Sequence, residues 1–140
     1  MAVASNYDQF TEMLAACPSI KVLEDSAAQD ILDRVMAEYH VNTLHYFWSK
    51  PGAPIIARTG MQPRDVPDYY AKARFRPLSG DVYLIIDCRD ERFIVCRGHL
   101  DSFRDLLRVN YFELVEIYLV DDAFRIRFCM NHDYEAFELA

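Results

Sequence analysis

The sequence is poor in glycine, with four residues at positions 52, 60, 80 and 98, and neither GxGxxG nor GxxxxGK[ST] can be assembled from them. Loops that cradle phosphates need clustered glycines so that backbone N–H groups can close on the ligand. A nucleotide-cradling loop is therefore excluded. HExxH and GxSxG are missing as well, which removes two common hydrolase signatures. Long apolar runs are lacking too: stretches such as 82–86 are strand-sized, against the roughly 18 residues a membrane span requires. Residues 1–20 have no basic n-region, and Asp8 and Glu12 fall where a secretion signal avoids acids. Cytoplasmic residence with no membrane partner is expected.

Positive charge is scarce. Fifteen Lys and Arg face 22 Asp and Glu, a formal charge of -7. Phosphate contacts need clustered cations, so direct nucleic-acid binding is disfavoured and a basic protein becomes the better partner. The four cysteines (Cys17, Cys88, Cys96 and Cys129) come without a secretion signal and are expected as reduced thiols.

What is present is apolar and aromatic residue, 52% and 14% of the chain. A chain of about 150 residues buries roughly two thirds of its unfolded surface, which supports a single domain over residues 1–140. Phe10, Met13, Leu14 and Cys17 recur at helical spacing, with Ser5 as N-cap and Asp8 three residues later; Pro18 stops that helix. A second helix starts at Ser26, paired with Gln29 in a capping box, with Ala28, Ile31, Leu32, Val35, Met36 and Tyr39 on one stripe. Residues 42–49 (NTLHYFWS) read as a strand. Five of the six prolines fall within 51–77, a locally basic passage (+3) that reads as an irregular ligand-contacting loop with a short helix over 67–74.

From Asp81 the pattern sharpens. DVYLIID and RFIVC, over 81–87 and 92–96, are apolar runs joined by the polar residues 88–91, which suits a hairpin. Asp101 or Ser102 then caps a helix carrying Phe103, Leu106 and Leu107. Residues 113–120 and 124–130 form a second hairpin across 121–123; in the returning strand Phe124, Ile126, Phe128 and Met130 alternate with Arg125, Arg127 and Cys129, one buried face and one wetter face. The expected fold is α+β: N-terminal helices, then an antiparallel sheet of ββαββ order with its helices on one face.

Two CxxH pairs, Cys96/His99 and Cys129/His132, offer a tetrahedral zinc set or a thiol–imidazole enzyme site. Both pairs follow strands, where a thiol is ordinarily a small hydrophobe. His132-Asp133 could exchange protons, or Asn131-His132-Asp133 could simply be a turn. Arg74-Phe75-Arg76 and residues 124–128 interleave arginine with aromatics, a pattern that suits single-stranded nucleic acid but that an amphipathic strand produces unaided. A further alternative is an adaptor module gripping an acidic peptide with the basic loop 51–77.

Acids collect at the predicted turns: Asp87, Asp90 and Glu91 in the first hairpin, Asp121 and Asp122 in the second, Asp133 and Glu135 beyond the last strand, with Tyr134 among them. Residues 81–140 hold thirteen acids against seven arginines. Aligned hairpins would gather these turns into one negative edge, which speeds association with a cationic partner.

The runs 81–87 and 92–95, the helix to Arg108, then FELVEIYLVDD over 112–122 and RFCMNHD over 127–133, together resemble bacterial toxin-immunity proteins of the contact-dependent growth inhibition or polymorphic-toxin type. In several of those families an aromatic, acidic strand leads into a hairpin ending in Asn-His. The resemblance covers roughly 81–137. It implies a small cytoplasmic non-enzyme, without cofactor, that occludes the active or substrate-binding surface of a cognate toxin, a cationic nuclease by preference. The partner-binding residues would be Asp87, Asp90, Glu91, Asp121, Asp122, Asp133, Tyr134 and Glu135.

Overall fold

Residues 5–140 are described by a computed structural model. Their order is α1 (Asn6–Ala15), β1 (Ile20–Val22), α2 (Asp25–Tyr39), β2 (Ile55–Gly60), α3 (Val66–Lys72), β3 (Asp81–Asp87), β4 (Phe93–His99), α4 (Leu100–Val109), β5 (Ile117–Val120), β6 (Ile126–Met130) and β7 (Glu135–Leu139). All strands join one antiparallel sheet in the order β1-β4-β3-β5-β6-β7-β2. The class is α+β. The four-strand order expected from sequence is incomplete, because β1, β2 and β7 add three strands to it.

Helices cover both faces of the sheet, which corrects the one-face expectation. One core packs Phe10 and Leu14 of α1, Val66 and Tyr70 of α3, and Phe103 and Leu107 of α4 against alternate strand residues such as Leu84, Ile86, Cys96 and Phe128. The other core packs Ile31, Leu32 and Val35 of α2, with Leu44 and Phe47, against Ile85, Val95, Tyr118 and Cys129. Continuous apolar runs such as DVYLIID are what a strand buried on both faces requires. β6 departs from plain alternation for the same reason. A register shift between Leu119 and Val120 brings Ile126 into the second core with Cys129, while Phe128 and Met130 stay in the first.

Local signals explain the ends of elements. Ser5 Oγ accepts from Asp8 N at 3.1 Å and caps α1. The Ser26/Gln29 capping box does not form: α2 begins at Asp25, and Gln29 donates to Asp33 at 2.8 Å instead. α4 starts at Leu100 and is capped by His99, whose Nδ1 accepts from Asp101 N at 3.1 Å, two residues before the first of the expected caps, Asp101 and Ser102. That places Arg104 against α3, where its guanidinium donates to the carbonyls of Tyr70 and Ala73.

Residues 42–49 are not a strand. They form a loop ending in a 3-10 turn at Phe47–Ser49, and their aromatics serve as a lid on the second core. Tyr118 donates to the Leu44 carbonyl at 2.6 Å and pins that lid. Nor is 51–77 irregular throughout, since it holds β2 and α3. β1 pairs with the second half of β4, from Cys96 to Gly98, and the sheet's outermost strands among the described residues are β1 and β2. No helix among the described residues is long and apolar enough to cross a membrane.

Candidate functional site

Antiparallel pairing sorts the turns between two ends of the sheet. Ile86 pairs with Ile117 and Ile117 with Met130, so the β3–β4 turn, the start of β5 and the β6–β7 turn lie at one end. Tyr83 pairs with Val120, which puts the β5–β6 turn at the opposite end. Of the eight expected partner-binding residues, Asp87, Asp90, Glu91, Asp133, Tyr134 and Glu135 therefore share one end. Asp121 and Asp122 do not, and the single negative edge is corrected to this smaller set.

Asp121 and Asp122 serve the fold. Asp121 accepts from the N–H groups of Ala123 and Arg125 and from Arg127 Nε at 2.8 Å, and Asp122 pairs with Arg97 at 2.9 Å. Glu135 is engaged as well, by Asn131 and Arg58, and these two bonds hold its carboxyl below the usual range. Asp90, Glu91 and Asp133 remain exposed.

Two histidine–carboxylate pairs lie at the same end. Asp87, only 6% exposed, accepts from His45 Nδ1 at 2.7 Å and from Arg89 N at 2.8 Å. Glu116, equally buried, accepts from His132 N at 2.9 Å, His132 Nδ1 at 2.5 Å and Trp48 Nε1 at 3.3 Å. Burying a carboxylate is tolerable only with such partners. Asn131 completes the frame by accepting from the N–H groups of Asp133 and Glu135, which makes 131–134 the Asn-built turn that the sequence suggested.

Between the pairs stands Tyr46, held at φ 54° and 56% exposed, with its ring edge-on to Trp48 and His132. A hollow of about 400 Å³ opens beside it, lined by His45, Tyr46, Asp87, Arg89, Glu91 and Glu116. A second, of about 310 Å³, shares Arg89 and is walled by Phe112, Glu113, His132 and Tyr134. Phe112 is 68% exposed.

The CxxH residues do not converge. Cys96 belongs to the core under α1, α3 and α4, Cys129 to the core under α2, and His99 caps α4 at the end of the sheet remote from His132. Among the described residues no group of three His, Cys, Asp or Glu is placed to hold a metal ion. Burial pushes the Cys96 thiol up to about 12 and raises Cys129 further, with Glu116 the second cause there. Such thiols are protonated at neutral pH and make poor nucleophiles.

The arginine–aromatic runs are committed to the fold in part, with Arg74 and Arg76 left exposed. Phe75 is buried, Arg125 pairs with Glu38 at 2.9 Å, and Arg127 pairs with Asp121. In the 51–77 segment Arg58 pairs with Glu135 and Lys72 with Asp68.

His45 and Glu116 were missed by sequence reading. Glu116 did carry a signal: an acid inside the apolar run LVEIYLV must find partners when the strand is buried. His45 carried none, because its partner Asp87 is 42 residues away. No family model, curated protein or solved structure matches the chain.

Proposed function

We propose that the chain is an immunity-type inhibitor that binds and neutralises a cognate bacterial toxin domain, a basic nuclease by preference, by covering its active or substrate-binding surface. The observation that carries this reading is the end of the sheet that brings together exposed Asp90, Glu91 and Asp133 and the exposed rings of Tyr46 and Phe112. Aromatic anchors inside a charged rim are the make-up of binding hot spots. Although exposed Arg89 and Arg92 share the β3–β4 turn with Asp90 and Glu91, Asp133 and the two partly engaged carboxylates Asp87 and Glu135 leave this end negative, which steers a cationic partner. Tyr134 and the pinned carboxylates Asp87 and Glu135 sit within the same patch. The role requires no cofactor and places the protein in the cytoplasm with its toxin.

The test is co-expression with the toxic C-terminal fragment encoded by a neighbouring reading frame. Cells should survive with the wild-type chain and die with Asp90→Lys/Glu91→Lys/Asp133→Lys. Survival with the charge-reversed chain, or death with the wild type, overturns the proposal.

A further inference from the structure

One histidine–carboxylate pair is built as a base, which charge steering does not need. The Asp87 carboxylate can only accept, so the proton of neutral His45 sits on Nδ1 and the lone pair on Nε2. Nε2 makes no hydrogen bond among the described residues, and the half-buried ring lines the 400 Å³ hollow. The ring is fixed from two sides: Asp87 is itself held by Arg89 N, and Phe93 packs on the imidazole at 4.6 Å. Arg89 lines the same hollow, and its side chain forms no ion pair among the described residues.

We propose that this hollow is a hydrolytic site for small carboxylic esters that carry no negative charge, with His45 as general base, Asp87 as positioning residue and Arg89 as the cation for the carbonyl oxygen. The volume lies within the span of small-ligand sites, roughly 300–1,000 Å³. Asp87, Glu91 and Glu116 outnumber Arg89 on its walls, so phosphate esters and carboxylates are repelled. His45 Nε2 removes a proton from water as the water oxygen bonds to the carbonyl carbon, and the carbonyl π pair moves onto the oxygen beside Arg89. The C=O bond then re-forms and the ester C–O bond breaks. The departing alkoxide takes the proton from the imidazolium, so ester and water become acid and alcohol and His45 is restored. This activity is independent of the toxin-binding proposal and stands or falls without a partner.

The experiment is hydrolysis of 4-nitrophenyl acetate by the full chain at neutral pH. The expected rate is about 100-fold above that of free imidazole at equal concentration, the low end of what a placed general base contributes. His45→Gln should return it to the imidazole rate with the far-ultraviolet circular dichroism unchanged, while His99→Asn, at the remote end, keeps the full rate. Arg89→Met should lower kcat/KM about 10-fold or more, and 4-nitrophenyl phosphate should not turn over. In Asp87→Asn the amide donates to Nδ1 and moves the ring proton to Nε2, so kcat falls at unchanged KM. A wild-type rate equal to that of imidazole, or a folded His45→Gln protein that retains the activity, overturns the proposal. If Asp87→Asn fails to fold, His45→Gln decides alone.

Discussion

Burial changes the chemistry of individual side chains here more than sequence proximity does. Cys88, Cys96 and Cys129 are buried and Cys17 is half-buried, so one thiol per chain should react with a disulfide reagent such as DTNB under native conditions and four after denaturation. Two or more fast thiols in the folded protein would contradict the buried placement. The same thiols set an alkaline limit. Burial pushes Cys88 and Cys96 up to about 12 from an ordinary 9.0, and desolvation lifts Tyr69 to about 12. For each group the folded state binds the proton more tightly, so the stabilisation is full below the unfolded value and fades as pH climbs through the folded one. The urea midpoint should therefore fall from about pH 9 upwards, and Cys96→Ala should soften that fall. Glu135 has the opposite sign. Its lowered carboxyl, held by Asn131 and Arg58, stabilises the fold above the ordinary glutamate range and ceases to do so as pH drops through the folded value. Glu135→Gln should flatten the acid side of the stability curve by the roughly 0.2–1 kcal/mol typical of a surface pair.

Elements were legible wherever one signal sufficed. α1 carries its cap and its stripe, and β3 carries seven residues of strand composition, so both were found within a residue or two. β1 and β7 are three and five residues long and have no pattern of their own; they are strands because β4 and β6 hold them. β2 looked like loop because an edge strand with one free side need not be apolar, and residues 55–60 are mostly exposed. The 42–49 segment failed in the other direction: Leu44 and Phe47 are buried in a lid while Tyr46 stays exposed, and aromatic density alone does not distinguish a lid from a strand. The two-sided core makes a prediction at this scale. Phe103→Ala under α4 and Phe47→Ala in the lid should each cost about 3–5 kcal/mol by chemical denaturation. A loss under about 1 kcal/mol for Phe47→Ala would mean that the second face contributes little.

For the whole molecule, topology decides how charge is presented. The acidic composition of residues 81–140 was readable, but its partition between two ends depends on which strands are neighbours, and no turn sequence states that. Under the proposed function, association with a cationic toxin domain should slow about ten-fold or more from low to high salt. Asp90→Lys/Glu91→Lys should lower the association rate, whereas Asp122→Lys, at the remote end, should leave it nearly unchanged. Equal effects of the two changes in stopped-flow measurements would show that overall charge, not the patch, steers the encounter.

The pairing of β2 with β7 has a consequence for biosynthesis. β2 ends at Gly60 and its sole strand neighbour begins at Glu135, so the 74 residues 61–134 must be translated in between. At about 5–20 residues per second, β2 waits several seconds with nothing to pair to. During that wait Ile55 and Ile56, already among the exposed apolar side chains of the finished protein, belong to a nascent segment that a ribosome-associated chaperone would recognise.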